Sequence, residues 1–146
     1  MREILFRGKS VEEYKTGEWV RGFLFHDPEE DDIEFRTRIY YQRKADDGYC
    51  VEEWVDYTAV DSETVGQYIG LYDKKYKLIF EGDIIRDDWG KIYEVIYTED
   101  SCSFMVQCTS APNEYEKGRY RIGKSWCKTI EIIGNIHDNP ELLKGE

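Results

Sequence analysis

The chain has 146 residues, 31 of them Asp or Glu against 20 Lys or Arg, for a formal net charge of −11. Aromatic residues make up 15% of it, with twelve Tyr, six Phe and four Trp, which excludes a disordered polymer, because such chains lack the residues that build a core. The acidic balance argues against non-specific duplex binding, which uses a basic face to displace phosphate counterions, and is read first as solubility.

A chain of this length buries roughly 68–70% of its unfolded surface, so residues 1–146 are expected to form one domain without help from a metal or a disulfide. Met1, Arg2 and Glu3 lead into only Ile4, Leu5 and Phe6 before Arg7, too short for a secretory core. No run approaches the ~18 apolar residues of a membrane span, so the expected compartment is the cytoplasm. Cys50, Cys102, Cys108 and Cys127 include no C-x-x-C pair. They are expected as buried free thiols, and no metal site is expected, since zinc needs closer ligand pairs and more histidine than His26 and His137.

In chain order, residues 4–6 and 19–25 read as a hairpin turning at Thr16 and Gly17. Gly22 inside the second strand signals a bulge or a close backbone approach. "HDPEEDDIE" (26–34) is a charged, solvated loop. Residues 35–42 alternate, with Arg36 and Arg38 on one face and Phe35, Thr37 and Ile39 on the other. Asp47 and Gly48 mark a hairpin turn, and residues 49–60 hold one or two strands around Trp54, Val55 and Tyr57.

The period then changes. Asp61 or Ser62 can cap a helix, Val65, Tyr68 and Ile69 lie at i, i+3 and i+4, and Gly70 suits its end. One short central helix is therefore expected. Residues 71–72 and 78–80 flank a turn, "DKKYK", and further strands are expected at 84–85, 91–97, 103–108, 119–122 and 129–136. Asn139 and Pro140 start a single helical turn. Five strands beyond residue 78 match the count of a small SH3-like barrel.

Four stretches carry a family likeness: "ILFRGK", "TGEWVRGFL", "VDSETVGQYIGLYDKKYKLIFEGDII" and "IEIIGNIHDNPELL". Their ordered set resembles the YopX family, small proteins of bacterial phages and prophages. The chain departs from the family in having Ile69 before Gly70 and Leu71, where the family has Thr, and Tyr76 where the family carries Gly. A Tyr does not take positive φ cheaply, so the loop at 73–77 is expected to use another turn type. The resemblance implies a mainly β protein of the bacterial cytoplasm. It transfers no catalytic motif and no cofactor.

Gly82 and Asp83 are read as a structural turn: the glycine bends the backbone and the carboxylate bonds amides two or three residues on. Acidic Glu81, Asp87 and Asp88 beside them raise a catalytic or metal reading, which solvated turn acids explain as well. The His137–Asp138 neighbours form no triad. For nucleic acid, Lys117, Arg119, Arg121, Lys124 and Lys128 interleave with Tyr120 and Trp126, the composition of a single-strand groove; an ordinary strand with Tyr120 and Ile122 inward explains the same letters. For a protein partner, Asp27, Glu29, Glu30, Asp31 and Asp32 offer an acidic loop.

The expectation is a mainly β (α+β) fold: an N-terminal β subregion over 1–60, a helix and turn connector over 61–77, and an SH3-like barrel over 78–146. The expected role is a non-enzymatic phage or prophage accessory protein that binds a host or phage protein and forms a homo-oligomer, away from membranes. Nucleic-acid binding through 117–128 is the alternative.

Overall fold

Strand β1 (Phe6–Lys9) pairs antiparallel with β2 (Trp19–His26), Phe6 opposite Gly22 and Lys9 opposite Trp19. A 3-10 turn over Glu13–Lys15 and Gly17, at φ 82°, close this hairpin. Strand β3 (Thr37–Asp46) returns along β2, and β4 (Val51–Ala59) runs along β3 from Arg38 opposite Ala59 to Asp46 opposite Val51. The β3–β4 turn is held by Asp47, whose carboxylate accepts the amides of Tyr49 and Cys50 at 2.9 and 2.8 Å.

This computed structural model describes residues 2–110 and 118–144, and the chain divides into two compact units, residues 1–67 and 68–146. In the first unit Ile39, Thr58, Ala59 and Val60 are buried. Gly22 is there because a Cβ would sit 2.0 Å from the Tyr40 carbonyl oxygen, closer than any side chain is accommodated, so the expected close approach is what the strand holds.

The expected central helix does not form. Asp61 does cap, accepting the Glu63 amide at 3.0 Å, but only one 3-10 turn, Ser62–Thr64, follows. Val65 is extended and β5 (Gly66–Tyr72) begins at once, Gly66 opposite Arg7 and Gln67 opposite Phe6. Two glycines disfavour helix here. Gly70, at φ 92°, marks a register shift in β5 rather than a helix end.

In the second unit the rest of β5 pairs with β6 (Leu78–Phe80). Then β7 (Asp83–Arg86), β8 (Ile92–Thr98), β9 (Ser103–Cys108) and β10 (Arg119–Arg121) meander. A one-turn helix α1 (Lys124–Cys127) precedes β11 (Glu131–Asn135). The sheet order is β10-β9-β8-β7-β11. Its edge strands β10 and β11 do not pair, so the fold is mainly β with an open sheet rather than a closed barrel. Ile79, Ile85, Val95, Val106, Cys108, Cys127 and Ile130 form the core with Tyr93, each large apolar side chain contributing about 1.5–3 kcal/mol by burial. The last described element is a 3-10 turn, Pro140–Lys144, beside β8.

All four thiols are free, but only Cys108 and Cys127 are buried. Cys50 and Cys102 are exposed because each lies on a turn. No helix among the described residues is long and apolar enough to cross a membrane.

Candidate interaction surface

Alternation on three paired strands of the first unit places Phe23 beside Tyr40 and Tyr40 beside Tyr57 on one sheet face, with Phe25 beside Arg38 and Gln42 beside Val55. The Phe25 and Tyr40 rings meet edge to face at 6.0 Å, and those of Tyr40 and Tyr57 lie 5.3 Å apart. Phe23 is 69% exposed and Val55 67%, so among the described residues this aromatic face is open to solvent. Arg38 lies over the Tyr57 ring at 5.5 Å.

The same Arg38 ties the acidic loop to the rim of this face. Its guanidinium meets Glu30 at 2.8 Å and Asp27 at 3.8 Å, and its Nε donates to the Phe35 carbonyl. Arg36 Nε donates to the Glu30 carbonyl at 2.8 Å. Asp32 accepts the Glu34 amide and caps the turn Ile33–Phe35. Glu29 and Asp31 remain exposed. The loop expected to be freely solvated is thus anchored at Asp27, Glu30 and Asp32.

The basic strip is divided. Lys117 lies outside the described residues. Arg119 and Arg121 sit on β10, Arg119 donating to Gln107 at 3.3 Å. Tyr120 and Trp126 each meet Tyr93 edge to face, at 6.2 and 5.2 Å, and with Arg121 they line a recess of about 210 Å³. Tyr120 does not turn fully inward: it is 45% exposed. Lys124 and Lys128 line a different recess, of about 260 Å³, with Leu71, Tyr72 and Tyr76.

Gly82 has φ 89°, its amide donates to the Val95 carbonyl, and its own carbonyl accepts from Ile136. Asp83 is buried, and its carboxylate accepts the Phe80 amide at 2.7 Å. That bond runs back along the chain, not forward as the sequence suggests. Asp87 accepts the Trp89 and Lys91 amides and the Tyr93 hydroxyl, each at 2.9 Å, so its acceptors are committed to the loop. Among the described residues no group of three or more His, Cys, Asp or Glu is placed to hold a metal. Burial pushes the Cys127 thiol up to about 11, leaving it protonated near neutrality and a poor nucleophile.

Residues 10–144 match the model of the family described as YopX protein. The chain belongs to the YopX family. No curated protein matches. Among solved structures it is similar to the crystal structure of protein EF1440 from Enterococcus faecalis, at 22% identity and a TM-score of 0.53, over 98% of this chain and 99% of that one. At that identity the likeness shows the fold alone. Within the YopX pattern the Tyr76 departure has an unexpected outcome: Tyr76 keeps positive φ, at 61°, so the loop retains the turn that a glycine would make.

The aromatic face is the feature that sequence reading missed. The alternation of Phe23 and Phe25, and of Val55 and Tyr57, was a signal for it, but alternating aromatics on a strand read equally well as core.

Proposed function

We propose that this chain acts by binding another protein rather than by catalysis, as a phage or prophage accessory protein in the bacterial cytoplasm. One observation carries the reading: the face of exposed Phe23, Phe25, Val55 and Tyr57 around half-buried Tyr40, rimmed by Arg38 and its acidic loop. Exposed apolar patches with polar rims mark interaction sites, and aromatics with Arg are the types that anchor interface cores. The rim acids Glu29 and Asp31 favour a partner with basic residues around an apolar centre, which makes association fast and salt-sensitive. Phe23→Ser with Phe25→Ser tests this. Both rings are exposed, so the variant should melt as the parent does while affinity for the partner falls at least about tenfold.

A second reading is nucleic-acid binding by the second unit. What favours it is the gathering of Tyr120, Arg121 and Trp126 around one recess. The strand order, a four-strand meander whose first strand also pairs with the last after a one-turn helix, supports describing this unit as SH3-like and partly open. Arg121→Glu with Lys124→Glu would abolish binding to a single-stranded oligonucleotide if this reading holds, with an unchanged melting profile.

A further inference from the structure

We infer that a recess in the second unit, between the end of β5, the loop over 73–77 and helix α1, binds a small ligand that joins one aromatic ring to an anionic group. The inference goes beyond both readings above, because it concerns a small molecule and neither the aromatic face of the first unit nor the recess around Tyr120.

The recess holds about 260 Å³, and Leu71, Tyr72, Tyr76 and Cys127 give it an apolar lining. Ligand pockets are mostly apolar with a few polar groups that fix orientation, and those for drug-sized molecules start at roughly 300 Å³, so this one is sized for a single ring. Lys124 and Lys128 line the same recess. They stand one helical turn apart, and both are exposed. Neither makes an ion pair among the described residues, whereas Lys74 and Lys75 share Glu131. In a chain with 31 acidic residues against 20 basic ones, two neighbouring lysines without a carboxylate leave a local positive charge beside an apolar recess. The acid that does line it, Asp73, is buried, and its carboxylate already accepts the Lys75, Lys77 and Ile132 amides. A ligand anion at Lys124 and Lys128 therefore meets two unpaired cations and a carboxylate held by three donors.

Tyr76 is a second and independent observation. It holds φ 61°, a backbone that side chains disfavour, and it is exposed, so packing within the chain does not account for its ring. The loop over 87–91 closes with the same bond from its first amide to its fifth carbonyl and has Gly90 at the matching place, so the turn does not call for tyrosine. A side chain kept in strained backbone beside a pocket points to a role in that pocket. The Tyr76 ring offers a face on which an aromatic ligand stacks, while the lysines attract its charge. Requiring both sets this ligand apart from a neutral hydrocarbon and from a free inorganic anion.

The test follows para-fluorobenzoate and para-fluorophenyl phosphate by fluorine NMR as purified full chain is added. para-Fluorobenzamide keeps the ring without the charge, and trifluoroacetate keeps the charge without the ring. At least one of the aromatic anions should bind at least about tenfold more tightly than either control, and the tighter one identifies the anionic group. Tyr76→Gly, and separately Lys124→Ala with Lys128→Ala, should each weaken that binding at least about fivefold, with the circular dichroism of the parent. Phe23→Ser with Phe25→Ser should bind as the parent does. Binding of neither anion, equal binding of the benzamide, unchanged affinity in folded Tyr76→Gly, or a loss confined to the Phe23 and Phe25 variant would overturn the inference. Only the purified chain and the probes are present, so the outcome is independent of whether a protein or nucleic-acid partner exists.

Discussion

Tyr76 and Gly90 occupy the same position in two hairpin loops built alike. The loops are Asp73-Lys74-Lys75-Tyr76-Lys77 and Asp87-Asp88-Trp89-Gly90-Lys91. In each the first amide donates to the fifth carbonyl, and the fourth amide donates to the first carbonyl. In each the opening aspartate accepts the third and fifth amides, all four bonds at 2.9 Å. The fourth residue has positive φ in both, 61° at Tyr76 and 81° at Gly90.

The left-handed backbone costs a non-glycine residue about 1–2 kcal/mol. Tyr76 is 87% exposed, so it recovers little of this by packing. Tyr76→Gly is expected to leave stability unchanged or raise it by up to ~1 kcal/mol, the glycine's entropy in the unfolded chain offsetting part of the relief. Gly90→Ala should lower it by about 1 kcal/mol or more. Urea unfolding of both variants checks the contrast.

Asp73 is the more consequential member of its loop. It is buried, and besides the two loop amides its other oxygen accepts the Ile132 amide at 3.0 Å. It thereby fastens the β5–β6 loop to β11, alongside the bond from the Lys74 amide to the Ile130 carbonyl. Asp73→Ala leaves three amides short of an acceptor and should cost about 3 kcal/mol. Glu131→Gln weakens the solvent-screened ion pairs to Lys74, Lys75 and Arg86 and should cost far less. Chemical denaturation of the pair separates the buried hub from the surface network.

The strand sites were legible because apolar alternation and turn residues agree along this chain, as at Asp47 and Gly48 and in residues 91–97. Gly22 was legible too, since a lone strand glycine has few other uses. The helix was misread at Val65, Tyr68 and Ile69. Their spacing of three and four also arises in a strand whose register shifts at Gly70, and one short window cannot tell the two apart. Helix α1 was invisible because Lys124–Cys127 is a single turn, too short to show a period. The anchoring of the acidic loop depends on Arg36 and Arg38, brought to Glu30 by the return of β3. Such a contact is decided by strand pairing, which residue types alone do not specify.

Burial raises the Glu94 carboxyl above its ordinary value. Between the unfolded and folded pKa the native state holds the extra proton, so stability falls as pH rises through that window. Glu94→Gln removes this liability. The variant is expected to be more stable than the parent at neutral pH, with the advantage shrinking as the pH falls through the folded pKa. Thermal melts across that range check it, and a difference independent of pH would point to another cause.

Protein binding through the aromatic face can be checked by capture. Tagged parent and the Phe23→Ser, Phe25→Ser variant are incubated with lysate of cells that carry the gene, with and without nuclease. A protein should be retained near stoichiometrically by the parent, resistant to nuclease and lost from the folded variant. Retention equal in both, or retention of nucleic acid that nuclease abolishes, would contradict it.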